Sequence, residues 1–292
     1  MKKIIFYFTA FLFILGSNSC GKKTDKPAKA EPKQLNISIL LDLSDRISPN
    51  IHPAIPSHKE RDIEIIKIIT EYFKKDMEKR TAWKAKGRIK VFFTPPPADP
   101  EINNIANKLK IDCSNMNNQG RKNIYDSISY LFTQNITNIY DKAINTNEWP
   151  GSDIWRFFND NVTNYCVDRD TTYRNILIIL TDGYIYHENS VSKTGNRYAY
   201  LRVENIARYR NLSYKEQINK DDFGLISTRN DLNNLEVLVL EISAEKVKND
   251  ENTLKYVIEK WLKEMNVLHS NVYSSDLPSN TKKMIEDFLD FK

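Results

Sequence analysis

Glycine is too scarce in this chain for most phosphate-cradling loops: there are 8 in 292 residues, with no Gly-rich phosphate loop and no Gly-x-Ser-x-Gly elbow. Three cysteines, Cys20, Cys113 and Cys166, leave room for one bridge at most, not a disulfide framework. The four histidines (His52, His58, His187, His269) are scattered without ligand spacing, which argues against a His-based metal site. No basic stripe with interleaved aromatics appears, so nucleic-acid binding is disfavoured. The longest apolar run near the start, residues 4–15, is too short to span a hydrocarbon core of about 30 Å as a helix.

What is present begins with the leader. MKKIIFYFTAFLFILGSNSC opens on Lys2 and Lys3, continues through the apolar run and ends on small residues before Cys20, the three-part layout of a secretory signal. A cysteine directly after small residues resembles the lipobox of bacterial lipoproteins, with Ser17 in place of the usual leucine. The resemblance implies cleavage after residues 1–19, lipidation of Cys20 and a cell-envelope location on the periplasmic face or the surface. An ordinary cleaved signal is the alternative. Residues 21–34 (GKKTDKPAKAEPKQ) have no apolar residue except alanine and cannot pack, so residues 20–34 read as a tether. Without Lys2 and Lys3 the formal charge falls from +5 to +3, ordinary for a globular domain. Cys113 and Cys166 then remain, either as one bridge or as two separate buried thiols; separate thiols are the preferred reading.

Residues 35–292 are long enough for one large core, and strand-like and helix-like segments alternate along them. Apolar runs at residues 35–41 (LNISILL), 88–94 (RIKVFFT), 175–180 (NILIIL) and 235–242 (LEVLVLEI) read as strands. A short edge strand within residues 108–113 and a last one at Val272-Tyr273 complete the set. Ser57-His58-Lys59-Glu60 is a capping-box pattern before a helix with Ile65, Ile66, Ile69, Tyr72, Phe73 and Met77 on one face. Helical spacing also marks residues 124–144, 253–265 and 278–291, and Ser152 or Asp153 is placed to cap a helix through Tyr165. Strands separated by helices predict an α/β fold: a doubly wound, mostly parallel sheet with helices on both faces. Residues 184–230 break the alternation as a long, tyrosine-rich insertion, with Tyr198, Tyr200, Tyr209 and Tyr214 serving either its own core or a binding face.

Open α/β sheets bind ligands beyond the carboxyl ends of their strands. Asp42-Leu43-Ser44-Asp45-Arg46 follows the first strand, Thr181-Asp182-Gly183 follows the strand at 175–180, and Gly120-Arg121-Lys122-Asn123 opens the central helix. With these clusters the chain resembles a von Willebrand factor type A domain. That family's metal-ion-dependent adhesion site uses an Asp-x-Ser-x-Ser loop, a threonine before the central helix and an aspartate after the fourth strand. Asp42, Ser44 and Asp182 match. The resemblance implies a Rossmann-like sheet and a divalent cation, Mg²⁺ first, on oxygen ligands, with a protein partner's carboxylate completing the coordination.

Arg46 stands where the second serine belongs and Lys122 where the threonine belongs, and neither can coordinate a metal. The expectation is that the Lys122 ammonium neutralises Asp42 and Asp182 in place of the ion while Arg46 points outward, or that Asp45 and Asp126 supply the missing oxygens. Three functions follow. The first is a membrane-anchored envelope lipoprotein that binds a protein partner and catalyses nothing. The second keeps the fold with a structural pocket. The third is a metal-assisted phosphohydrolase, for which an Asp-x-Asp loop is expected; Ser44 fills the second place here.

Overall fold

Leu35 to Leu41 is buried without interruption, the pattern of a strand covered on both faces, and it forms β1 (Gln34–Leu41). The computed structural model describes residues 31–81, 83–244 and 248–291. The expected signal segment, Cys20 and the tether up to residue 30 lie outside the described residues. Residues from Lys33 onward form a compact unit by themselves.

After a Pro-rich loop, α1 (His58–Arg80) begins on its capping box: the Ser57 hydroxyl accepts from the Glu60 backbone while the Glu60 carboxylate accepts from the Ser57 amide at 2.8 Å. β2 (Arg88–Phe93) follows. A helix that the apolar pattern does not announce comes next, α2 (Pro100–Lys108), capped by Asp99 with proline in its first turn. β3 (Ile111–Asp112) is the short edge strand. α3 (Asn118–Thr146) starts two residues before the Gly120 cluster expected to open it and six before its apolar spacing begins, its polar first turn held by Asn117 accepting from Gly120 N at 2.8 Å. α4 (Ile154–Arg156) and α5 (Val162–Cys166) are joined by a π-turn over Phe157–Asn161, and β4 (Tyr173–Leu180) completes the first half.

The insertion is ordered. It carries β5 (Lys193–Thr194), β6 (Arg197–Tyr198), α6 (Val203–Ile206), α7 (Tyr214–Lys220) and β7 (Gly224–Leu225), with the three strands in a small sheet of order β5-β6-β7. Tyr209 is buried with its ring 4.6 Å from that of Phe223, so it belongs to the core. β8 (Leu235–Ile242), α8 (Lys248–Glu264), β9 (His269–Ser274) and α9 (Pro278–Leu289) end the fold.

The six-stranded main sheet has the order β3-β2-β1-β4-β8-β9, and every pair is parallel except β2 with β3. Alternation along β1 divides its side chains between two cores. Ile37, Ile39 and Leu41 join α1, α2, α3 and α9 on one face. Leu40 joins α4, α5, α8 and the insertion on the other, where Asn36 donates to Asn175 Oδ1 at 2.8 Å and to Cys166 O at 3.1 Å. Cys113 is buried in the first core and Cys166 in the second, both as free thiols, so the sheet itself separates them. Among the described residues, no helix is long and apolar enough to cross a membrane.

Candidate functional site

The chain crosses from β1 to β2 on one side of the sheet centre and from β4 to β8 on the other. The carboxyl ends of β1 and β4 therefore flank a topological switch point, where the two crossovers diverge and leave a crevice. Asp42 and Asp182 come directly off these two strands, as their sequence positions require.

Asp42 is 1 % exposed, and both carboxylate oxygens are engaged. Oδ1 accepts from Ser44 N at 2.9 Å, which tightens the turn, and Oδ2 accepts from the Thr181 hydroxyl at 2.7 Å. Asp182 is also buried, with Oδ1 accepting from Tyr184 N at 3.0 Å. Gly183 follows at φ +96°, a left-handed conformation; a Cβ there would stand 2.8 Å from Ile242 Cδ1. Ser44 is buried and begins a short 3₁₀ turn over Asp45–Ile47.

That turn sends Arg46 inward, and the expected roles of both cations are overturned. Arg46 does not point outward: it is 1 % exposed. Its Nε donates to Asp42 O at 3.1 Å and its Nη2 to Leu180 O at 3.2 Å, and Nη2 also pairs with Asp62 on α1. The guanidinium thus bridges the ends of β1 and β4 beneath the crevice. Lys122 does not stand in the pocket. Its neighbour Arg121 donates to Cys113 O at 2.9 Å, and Cys113 N bonds Gly87 just before β2; this is the amino edge of the sheet, opposite Asp42 and Asp182. Lys122 pairs there with Asp126 across one helical turn at 2.5 Å, with both side chains more than half exposed. Asp126 is accordingly no ligand for the crevice either. Asp45 lies on the rim, its carboxylate 3.7 Å from His52 Nε2.

Arg46 belongs to a larger buried network. Asp62 accepts from the Tyr140 hydroxyl as well as from Arg46. Next to it on α1, Arg61 donates through Nε to Glu241 at 2.7 Å, through Nη1 to Pro56 O at 2.5 Å, and through Nη2 to His58 Nδ1 at 2.9 Å. Glu241 adopts φ +73° where the β8–β9 register slips, and this break turns a charged residue into the interior. Burial alone would lower the Arg46 pKa, but Asp62, Tyr140, Asp42 and Asp182 outweigh it and hold the guanidinium charged. Burial pushes Asp62 above the ordinary carboxylate range despite Arg46. Glu241 is raised by burial and by Asp62. His58 is pushed down to about 3 by burial and by Arg46, Arg61 and His52. It is a neutral acceptor for Arg61.

A second polar group at the same edge is only weakly marked in the sequence. Ser152 and Asp153 are both buried between α3 and α4. Asp153 N donates to Thr94 O at 3.1 Å, and Thr94 follows the end of β2, beside the end of β1. Asp153 does not cap α4 with its side chain; Oδ2 accepts from the Ser190 hydroxyl at 2.7 Å and lies 3.4 Å from His187 Nδ1. The signal is Gly151, at φ +80° with Tyr186 O only 2.3 Å from where a Cβ would sit. The close approach there brings the loop onto the chain leaving β4.

This geometry suits a divalent ion poorly. Asp42 already spends both oxygens on internal donors, and the Arg46 charge lies directly under the crevice. Among the described residues, no group of three or more His, Cys, Asp or Glu is arranged to hold a metal. Compared with known proteins, the chain matches no family model and no curated protein.

Proposed function

We propose that this chain is a lipid-anchored envelope module that binds a protein partner on the carboxyl edge of its sheet. In this reading it is a von Willebrand factor A-like domain in which Arg46 supplies the positive charge that the family takes from Mg²⁺. The strand order, the switch point and the aspartates after β1 and β4 support the likeness. Lipidation of Cys20 rests on the leader sequence alone.

One observation carries the binding surface. Large apolar side chains stand uncovered on separate segments that leave the same edge: Ile51 and Ile55 after β1, Tyr186 after β4, and Leu277 after β9. Leu212 in the insertion is also uncovered and follows Arg210, which pairs with Asp250 at the start of α8. Ile55 and Leu212 are 101 % and 103 % exposed, which no internal packing explains. Uncovered apolar side chains beyond the strand ends stand where open α/β sheets take their ligands, and Arg202 lying over the Tyr186 ring adds an aromatic–arginine pair of the kind that anchors interfaces. Hydrolysis is disfavoured because Asp42, the nucleophile a phosphohydrolase would use, is buried with both oxygens occupied.

A photo-crosslinking amino acid at Ile55 or Leu277 tests this in cells. Crosslinks to one discrete protein from both positions, and none from Tyr130 on the outer face of α3, are expected. Equal or absent crosslinking at all three would end the reading. Calorimetric titration with Mg²⁺, Mn²⁺ and Ca²⁺ is expected to give no binding heat while Arg46 is present. Heat that disappears in Asp42→Ala would restore the metal.

A further inference from the structure

The amino edge of the sheet bears a different surface. α1 ends there at Arg80, residues 81–87 lead into β2, and α3 begins there at Asn118. Between the two helix ends is a cleft of about 400 Å³ lined by Met77, Ala85 and Tyr125, by the buried Arg121 and by Lys122. Trp83 stands beside it, 69 % exposed, while its carbonyl accepts from Arg121 Nη1 at 3.2 Å. The loop is therefore fixed to α3 with its largest apolar side chain left in solvent. Lys79 and Lys86 are exposed on the same edge and have no carboxylate partner among the described residues. Of the acidic residues nearby, Asp126 is paired with Lys122, Asp76 with Arg80, and Asp112 and Asp168 with Arg88; Glu78 remains on the cleft wall and the exposed Asp170 faces Arg88 and Lys86.

The chain also joins the domain at this edge. Lys33 O accepts from Arg80, and the Gln34 amide bridges Lys84 O at 3.0 Å and Lys86 N at 2.9 Å. The segment that precedes Lys33 carries Lys22, Lys23, Lys26 and Lys29 against Asp25 and Glu31. Within the described residues, Lys79 and Lys86 stand at the same edge as an exposed indole and an apolar-lined cleft.

We infer that the amino edge docks on an anionic phospholipid surface, with Trp83 at headgroup depth and the lysines facing the lipid charge. Tryptophan is amphipathic and partitions to the membrane–water boundary. Exposed lysines at a surface that meets anionic lipid gain from its negative potential, each by about fivefold in partition. The same orientation turns the carboxyl edge away from the lipid. The inference stands on this edge alone and needs neither the lipid on Cys20 nor the partner-binding reading.

The test uses residues 33–292, which hold every strand and both cores among the described residues, so that the leader contributes nothing. Sedimentation with vesicles of phosphatidylcholine alone, and with roughly one-third phosphatidylglycerol, is compared at low ionic strength. Binding to the anionic vesicles only, reversed by salt, is expected. Lys79→Glu and Lys86→Glu should each reduce it at least about fivefold, Trp83→Ser should reduce it further, and Ile55→Asp at the opposite edge should leave it unchanged. All four positions are exposed, and unaltered thermal midpoints would verify intact folds. Equal binding to both vesicle types, or anionic binding that survives the amino-edge variants, would overturn the inference.

Discussion

At the carboxyl end of the main sheet, Arg46, Arg61, Asp42, Asp62 and Glu241 all lie inside the protein, each with a partner on a different element, and Asp182 is buried beside them. At the amino end, Lys79, Lys86 and Lys122 stand in solvent and the Lys122–Asp126 pair is local and exposed, although Arg174 and Glu236, at the starts of β4 and β8, form a largely buried pair there. The residue types at the two ends are similar, but the energetics are opposite. A buried charge is costly unless paired, so the carboxyl network holds the strand ends in one arrangement and is intolerant of a missing member. An exposed pair contributes little, so these three lysines are free to change their partners from water to another surface.

The strongest way to break this comparison is to remove the central cation. Arg46→Met is expected to cost about 3–5 kcal/mol in chemical denaturation, because it strands Asp62 and frees two strand-end carbonyls. The double variant Arg46→Met/Asp62→Leu should regain most of that loss, since both charges are then gone. A single variant as stable as wild type would mean that the two strand ends do not depend on the bridge.

A smaller effect concerns pH. The folded-state pKa of His58 lies near 3, against 6.5 when unperturbed, so the unfolded chain binds the proton first. Its contribution is present above about pH 6.5 and is lost as pH falls toward 3. Asp62 and Glu241, raised in the folded state, act in the opposite sense: they favour the fold at low pH and lose that contribution as pH rises through their elevated pKa values. The difference between wild type and His58→Gln isolates the histidine, and denaturation profiles should show a flatter acid limb in the variant. Parallel profiles would contradict a neutral, buried His58. The smallest effect is at the other edge, where Lys122→Ala is expected to change stability by less than about 0.5 kcal/mol. A larger loss would show that the amino edge depends on its ion pairs as strongly as the carboxyl edge does.

The framework of the fold is legible because it depends on local patterns. The runs that form β1, β4 and β8 are apolar and β-branched, and the Ser57 capping box sets the start of α1. Elements escape a sequence reading where that pattern is weak. α2 is announced only by Asp99-Pro100, the first turn of α3 is polar, and the strands of the insertion have two residues each. Within the site, Asp42 and Asp182 can be placed because strand ends are visible in sequence. The position of Arg46 cannot, because it is decided by Asp62 and Tyr140, which approach it on two different helices. Lys122 is misplaced for a related reason: the short antiparallel β3 reverses the chain, so α3 begins at the amino edge.

The sheet also puts one thiol on each of its faces, Cys113 on one side and Cys166 on the other, with burial raising them to about 11 and 12. Thiols of that kind react with an alkylating reagent only when the layer covering them opens. In residues 33–292 the two modification rates are thus two independent clocks, one for the helices α1, α2, α3 and α9 and one for the layer containing the insertion. If the insertion breathes separately from the rest, Cys166 will be labelled ahead of Cys113; if the molecule opens only as a whole, both will be labelled at the same rate.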